Sequence, residues 1–221
     1  MAKKIKVFLL GYLLFLLISF FLIFSRPKIE LHLWLNSFHT PFLDSFFRYF
    51  TNIGDGAFAL VFLPYFFFFT KARTLFYTLL GCLTAGILAQ VFKKLVFTSA
   101  LRPSAIIDEH LLHTVEGVKL ATLHSFPSGH SASVFAFMLA LALLNHRNKM
   151  MQVFFCLCAI LGAYSRVYLS QHFLLDTLAG SFLGVLSVFF AYAISNSLKW
   201  LPSSSFYSYF RQKARRETPA P

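Results

Sequence analysis

The chain has 221 residues, a net charge of +12 and a mean hydropathy of +0.67, with 57% hydrophobic residues, only 13% charged ones and 30 phenylalanines. That composition excludes a soluble domain, and the length leaves room for one compact helical bundle and no second domain. The basic residues are scattered between apolar segments, with no aromatic stacking platform or basic helix beside them, so they point to membrane topology and not to a nucleic-acid partner.

A membrane span needs roughly 20 predominantly apolar residues, and about six stretches qualify. Lys3, Lys4 and Lys6 precede the first, residues 7–24, which ends at Arg26-Pro27-Lys28. It is too long for a leader and no small-residue cleavage site follows it, so a retained span is expected. Over residues 29–53, Phe42, Leu43, Phe46, Phe47 and Phe50 recur at helical spacing while Asp44, Ser45 and Arg48 face elsewhere. One or two interfacial helices broken near Thr40-Pro41 are predicted there. A second span covers about 55–70, with a kink at Pro64, and a third covers 74–96 after the Lys71-Ala72-Arg73 turn.

Residues 104–126 are the one substantial polar connection, holding Asp108, Glu109, His110, His113, Glu116, Lys119 and His124. Loops of that length inside a compact domain usually carry function or mobility. The fourth span opens at Ser128-Gly129-His130, and 150–170 and 173–198 make the fifth and sixth. The fold class is therefore all-α: a polytopic bundle of six transmembrane helices plus interfacial helices, over residues 1–198. Residues 199–221 form a basic, partly disordered cytoplasmic tail with Arg211, Lys213, Arg215 and Arg216. Cys82, Cys156 and Cys158 all lie inside apolar stretches without metal-ligand spacing and read as buried apolar residues.

Basic residues in short loops favour the cytoplasm. Placing the N-terminus there puts 12 of the 20 Lys and Arg on that side. With six spans both termini are cytoplasmic, and the polar knots around Arg102, His130 and His172 share the extracytoplasmic face of a cytoplasmic (inner) membrane.

Those knots are the exceptions in an apolar chain, and ionisable residues in hydrocarbon surroundings are costly enough to mark a site. Pro127-Ser128-Gly129-His130 opens a helix: Ser128 is a favoured N-cap, Gly129 leaves the backbone open, and the unpaired N–H groups suit an anion such as phosphate. His172 and Asp176 stand four apart, one turn along one helix face. A carboxylate on one imidazole nitrogen fixes the tautomer and leaves the other nitrogen free as nucleophile or base. Arg166 is a planar bidentate donor suited to phosphate oxygens, and Arg102 with Lys93 or Lys94 adds positive charge.

Taken together, these stretches resemble the type 2 phosphatidic acid phosphatase superfamily, whose pattern is Lys, six residues, Arg-Pro; then Pro-Ser-Gly-His; then Ser-Arg, five residues, His, three residues, Asp. The second motif is complete at Pro127 to His130 and the third at Ser165, Arg166, His172 and Asp176. The first departs from the pattern. Seven residues separate Lys94 from Arg102 and eight separate Lys93 from it, while Leu95 occupies the family's lysine position. A non-helical stretch over 98–101 would absorb the difference for Lys94, the lysine assigned here.

The resemblance implies that His172 attacks phosphorus to form a phosphohistidine, oriented by Asp176. His130 then protonates the leaving oxygen and later activates water. Lys94, Arg102, Ser128, the Gly129 backbone and Arg166 hold the phosphoryl oxygens. No cofactor and no metal is implied. The substrate is a lipid phosphate taken from among the membrane lipids: undecaprenyl diphosphate, phosphatidylglycerophosphate, phosphatidic acid or a lipid A phosphate. The oligomeric state is left open.

Two readings from other classes compete. A transporter with a buried His/Arg/Asp ion path needs ionisable residues near mid-span, whereas these stand at span ends. A metal centre on His130, His172 and Asp176 is permitted by ligand type, but Arg102, Arg166 and the lysines would repel a cation.

Overall fold

The computed structural model describes residues 1–217, and every regular element among them is helical. Helix α1, Lys6–Ser25, is built mostly of Leu, Phe and Ile and carries no charge after Lys6. It stops where Pro27 forces Arg26 into extended backbone at φ −143°, ψ 148°. Helix α2, Lys28–Asn36, and helix α3, Pro41–Phe50, follow. Thr40 caps α3 by accepting from the Leu43 N–H at 3.2 Å, and Pro41 sits at its first turn. Two helices thus occupy the 29–53 segment, separated at Thr40-Pro41 where the sequence indicated a break.

Helix α4, Gly56–Val61, and helix α5, Leu63–Phe69, replace the continuous second span. Pro64 has no N–H to return to the Leu60 carbonyl, so the expected kink becomes a break at Phe62. This pair meets the preceding segment, Pro41–Gly54, at a bend of 66°. Helix α6, Ala72–Val91, runs on into a π-helical turn, Phe92–Val96. A short helix α7, Pro103–Ile106, starts the polar connection. Helices α8, Gly129–Leu144, α9, Lys149–Tyr168, and α10, Leu174–Ser197, complete the bundle.

Four helices, Ala2–Ser25, Ala72–Val96, Lys149–Tyr168 and Leu174–Ser197, are long and apolar enough to cross a membrane, and the bent pair is a fifth candidate. The expected count of six spans is not confirmed: α8 has 16 residues, about 24 Å of helix, short of a hydrocarbon core of about 30 Å. Helix α8 is instead the axis of the bundle, packed against α6, α9 and α10 and buried along almost its whole length. Helix α1 lies outside, with Leu14, Leu17, Phe21 and Phe24 facing away from protein.

Two glycines set the α8–α10 distance. A Cβ on Gly180 would stand 2.3 Å from the Ser128 carbonyl oxygen, and one on Gly184 would stand 2.3 Å from that of Ala132. Small residues four apart are the means by which apolar helices approach closely in the absence of a hydrophobic driving force.

At the far end of α8 from Ser128, Gln152 Nε2 donates to the carbonyls of Lys4 (3.0 Å) and His146 (2.8 Å), which ties the N-terminus to the α8–α9 turn. The expected disordered tail contains helix α11, Phe206–Glu217, whose Phe206 and Tyr207 pack on Phe67 and Phe68 of α5. Residues 218–221 of that tail lie outside the described residues. The three cysteines are unbridged.

Candidate active site

The N-terminus of α8 and the start of α10 are joined directly: the Ser128 N–H donates to the Asp176 carbonyl at 2.9 Å. Ser128 Oγ accepts from the Ser131 N–H (3.3 Å) and hydroxyl (3.0 Å), and the residue is fully buried. With Ser128 spent on capping, the donors the helix turns outward belong to Gly129 and His130.

Helix α9 ends in the third motif. Arg166 Nη1 donates to Thr51 Oγ1 at 2.8 Å, and the Ser165 hydroxyl reaches the same oxygen at 3.1 Å. The Arg166 carbonyl then accepts from both the Gln171 N–H (2.9 Å) and the His172 N–H (3.0 Å). This turn, with Ser170 at φ 51°, swings His172 back over Arg166. Asn36 braces it from α2: its Nδ2 donates to the Tyr168 carbonyl (3.0 Å), the His113 carbonyl (3.2 Å) and Ser170 Oγ (3.2 Å).

His172 Nδ1 faces Asp176 Oδ2 at 3.5 Å, and both side chains are buried. The same carboxylate oxygen accepts from the Phe173 N–H at 3.0 Å and from the Ser125 hydroxyl. An acceptor so held keeps the proton on Nδ1 and leaves Nε2 with its lone pair. Burial pushes His172 down from 6.5 to about 3, against the hydrogen bond with Asp176, so the ring is neutral at ordinary pH. Burial also lowers the Arg102 guanidinium, opposed by the charge of Asp176, without threatening its protonation. Arg102 is held by the Leu123 carbonyl (Nε, 2.9 Å) and by the carbonyl and Oε1 of Gln171 (Nη1, 3.0 and 3.2 Å).

These elements enclose a cavity of about 400 Å³ whose chemistry comes from Lys93, Arg102, Gly129, His130, Arg166 and His172. Both imidazoles expected on one anion therefore share one chamber with three cations. Two assignments change. Lys94 is exposed and does not line the cavity, whereas Lys93 is 7% exposed and does. The π-turn from Phe92 widens the helix by one residue per turn and rotates Lys93 inward, which spacing on an α-helix or a loop over 98–101 does not anticipate. A Cβ built on Gly129 would lie 3.9 Å from Lys93 Nζ, so this lysine reaches the α8 terminus. Ser128, expected to hold phosphoryl oxygens, stands behind the wall as a cap, and Asp176 likewise stands behind His172.

Sequence reasoning missed Ser125, Thr51, Gln171 and Asn36, which orient Asp176, Arg166, Arg102 and the His172 turn. For Ser125 and Gln171 a signal was present, since each is a polar residue next to a motif; Thr51 and Asn36 carried none. His130, His172 and Asp176 do not converge as a metal-ligand set, nor does any group of three His, Cys, Asp or Glu among the described residues.

Comparison with known proteins agrees with the geometry. Aquifex aeolicus LpxE superposes with a TM-score of 0.64 at 25% identity, over 74% of this chain and 93% of that one. A transmembrane PAP2 type phosphatidylglycerolphosphate phosphatase from Bacillus subtilis has the same fold, with a TM-score of 0.58 at 24% identity over 91% of this chain and 100% of that one. A lipid A 1-phosphatase of Rhizobium etli is 32% identical over 117 residues, 50% of this chain and 48% of the relative. Phosphatidylglycerophosphatase B of Bacillus subtilis is 37% identical over 83 residues, 34% of this chain and 41% of the relative. The chain thus spans about half the length of the curated relatives it matches. Residues 74–200, more than half of the chain, match the PAP2 superfamily, and the chain belongs to that family.

Proposed function

We propose that the chain is an integral membrane phosphatase that hydrolyses the phosphate head group of a lipid through a phosphohistidine. The observation that carries this reading is one chamber holding a neutral His172, His130 and three cations, next to an apolar cavity of about 500 Å³ between α4, α5, α6 and α8 with which it shares lining residues. A phosphate suits the first and a lipid tail the second.

His172 Nε2 attacks phosphorus as the bond to the leaving oxygen breaks, and His130 delivers the proton that the departing alkoxide needs. Water then attacks the phosphohistidine, with His130 taking its proton, and inorganic phosphate leaves as Nε2 regains its lone pair. Lys93, Arg102, Arg166 and the Gly129 N–H stabilise charge on the three equatorial oxygens, the contribution that cations make to phosphoryl transfer in general. The lipids that remain in view are those with a mono- or diphosphate head group: undecaprenyl diphosphate, phosphatidylglycerophosphate, phosphatidic acid and lipid A phosphates.

The reading places the site on the extracytoplasmic face of the cytoplasmic membrane with both termini inside. Support comes from Lys3, Lys4, Lys6, Arg147 and Lys149 at the end of α8 away from the site, where positive residues favour the cytoplasm. A transporter path is not supported. The test is phosphate release from a panel of purified lipid phosphates by the chain and by His172→Ala. Release by wild type with none by the variant is expected; hydrolysis retained in His172→Ala would overturn the mechanism.

A further inference from the structure

The polar chamber and the apolar cavity share five lining residues, Asp55, Gly56, Gly86, Gln90 and Ser133. They form the neck between the phosphate and the tail. A Cβ built on Gly56 or Gly86 meets no atom within 4 Å, so two sides of the neck are open. Its side chains are all polar: Gln90 from α6, Ser133 one turn after His130 on α8, and Asp55, which is exposed and lines both cavities.

Asp55 is the one carboxylate that lines either cavity among the described residues. It is fixed there because its Oδ1 caps α4 by accepting from the Ala57 N–H at 3.1 Å. Its charge acts on His130 and Arg166, and it also opposes any second anion brought past it.

His130, the group expected to protonate the leaving oxygen, lines the chamber, and Ser133, one turn on along the same helix, lines both cavities. The atoms just beyond the scissile bond must therefore pass Asp55. In a lipid monophosphate those atoms are an uncharged linker able to bond with Asp55, Gln90 and Ser133. In a lipid diphosphate they are a second phosphate. Resting on the phosphatase reading above, we infer that Asp55 is a specificity residue that makes the neck reject a second phosphate, so that the site takes phosphomonoesters with an uncharged linker in preference to lipid diphosphates.

The test compares kcat/KM of the full chain in detergent for a matched polyprenyl monophosphate and diphosphate with the same tail. Wild type is expected to favour the monophosphate. Asp55→Asn keeps a capping oxygen and removes the charge, and should raise the diphosphate-to-monophosphate ratio about tenfold or more, the size of effect one nearby charge has in partly screened surroundings. Asp55→Glu should hold the wild-type ratio. Gln90→Glu, which adds a carboxylate across the neck, should lower the ratio and carries the test should Asp55→Asn fail to hydrolyse a small aryl phosphate. Release from both lipids with a ratio indifferent to Asp55→Asn and Gln90→Glu overturns the inference alone. Release from no lipid phosphate by wild type, in this pair or in the panel above, removes the phosphatase reading and the inference with it.

Discussion

Ser125 donates its hydroxyl to Asp176 Oδ2, the carboxylate oxygen that faces His172 Nδ1 across 3.5 Å. Since the Phe173 N–H holds the same atom at 3.0 Å, Ser125 and α10 together fix where the proton on His172 points. Ser125 itself is held by a bond from its N–H to the Ala100 carbonyl (2.9 Å), so the polar connection is anchored beside His172. Ser125→Ala removes one net hydrogen bond of about 1 kcal/mol and should lower kcat by about fivefold while leaving KM near its original value. Asp176→Asn should cost on the order of a thousandfold, because it reverses the tautomer preference. Steady-state phosphate release measures both, and equal kcat for Ser125→Ala and wild type would remove Ser125 from the positioning chain.

The two lysines separate cleanly. Lys93 is buried and lines the chamber; Lys94, one residue on, is exposed. Lys93→Ala should reduce kcat/KM by about a hundredfold, the usual cost of losing one charged donor from a transition-state clamp. Lys94→Ala should stay within about twofold, as expected for a surface change. Competitive inhibition by vanadate, a five-coordinate phosphate mimic, should weaken in the first variant and not in the second. The opposite ranking would mean that the π-turn at Phe92–Val96 does not set the register of the functional enzyme.

How far the sequence could be read depended on what kind of information each feature carries. The Ser128 cap and the facing of His172 and Asp176 at four-residue spacing are local features and were legible, but the pair does not share a helix face: His172 lies in the turn before α10, whose N-cap is Phe173. The lysine was misplaced because a π-turn is a small backbone choice with no strong residue signal. The kink at Pro64 was legible in the second span, but whether the missing N–H bends the helix or breaks it at Phe62 depends on packing that the apolar run does not report. Thr51 and Asn36 act through bonds to Arg166 Nη1 and to the Tyr168 carbonyl, 115 and 132 residues away in the chain, and no periodicity reports contacts of that range.

A pH effect on stability follows from His32. It is 1% exposed on α2, with Nε2 at 3.3 Å from Ser170 Oγ and its ring at 5.2 Å from that of Phe173. Burial pushes it from 6.5 down to about 4, with Asp176 opposing and Lys28 assisting. Between those values the unfolded chain binds the proton and the folded chain does not. Stability is therefore fully present above about pH 6.5 and falls as pH drops towards 4, by about 1.4 kcal/mol per unit for this one group. His32→Gln, which keeps a hydrogen-bonding side chain but does not titrate, should flatten the loss. Thermal unfolding in detergent at pH 7 and pH 5 reads it, and an unchanged pH slope in His32→Gln would remove His32 as the source.

The last prediction concerns the packing that brings two motifs together. Ser128 of α8 and Asp176 of α10 share a backbone hydrogen bond of 2.9 Å, which requires the two helices to run closer than ordinary side chains permit. Gly180 supplies the room: its Cβ would fall 2.3 Å from the Ser128 oxygen, and that oxygen is backbone, so no rotamer change relieves the clash. Gly180→Ala must push α8 and α10 apart, at a cost of about 1–3 kcal/mol by comparison with other overpacked interiors. The displacement acts on the turn that carries Gly129 and His130, so kcat should drop together with Tm. A Gly180→Ala protein with wild-type Tm and wild-type phosphate release would show that the close α8–α10 contact is not what holds His130 and His172 around one phosphate.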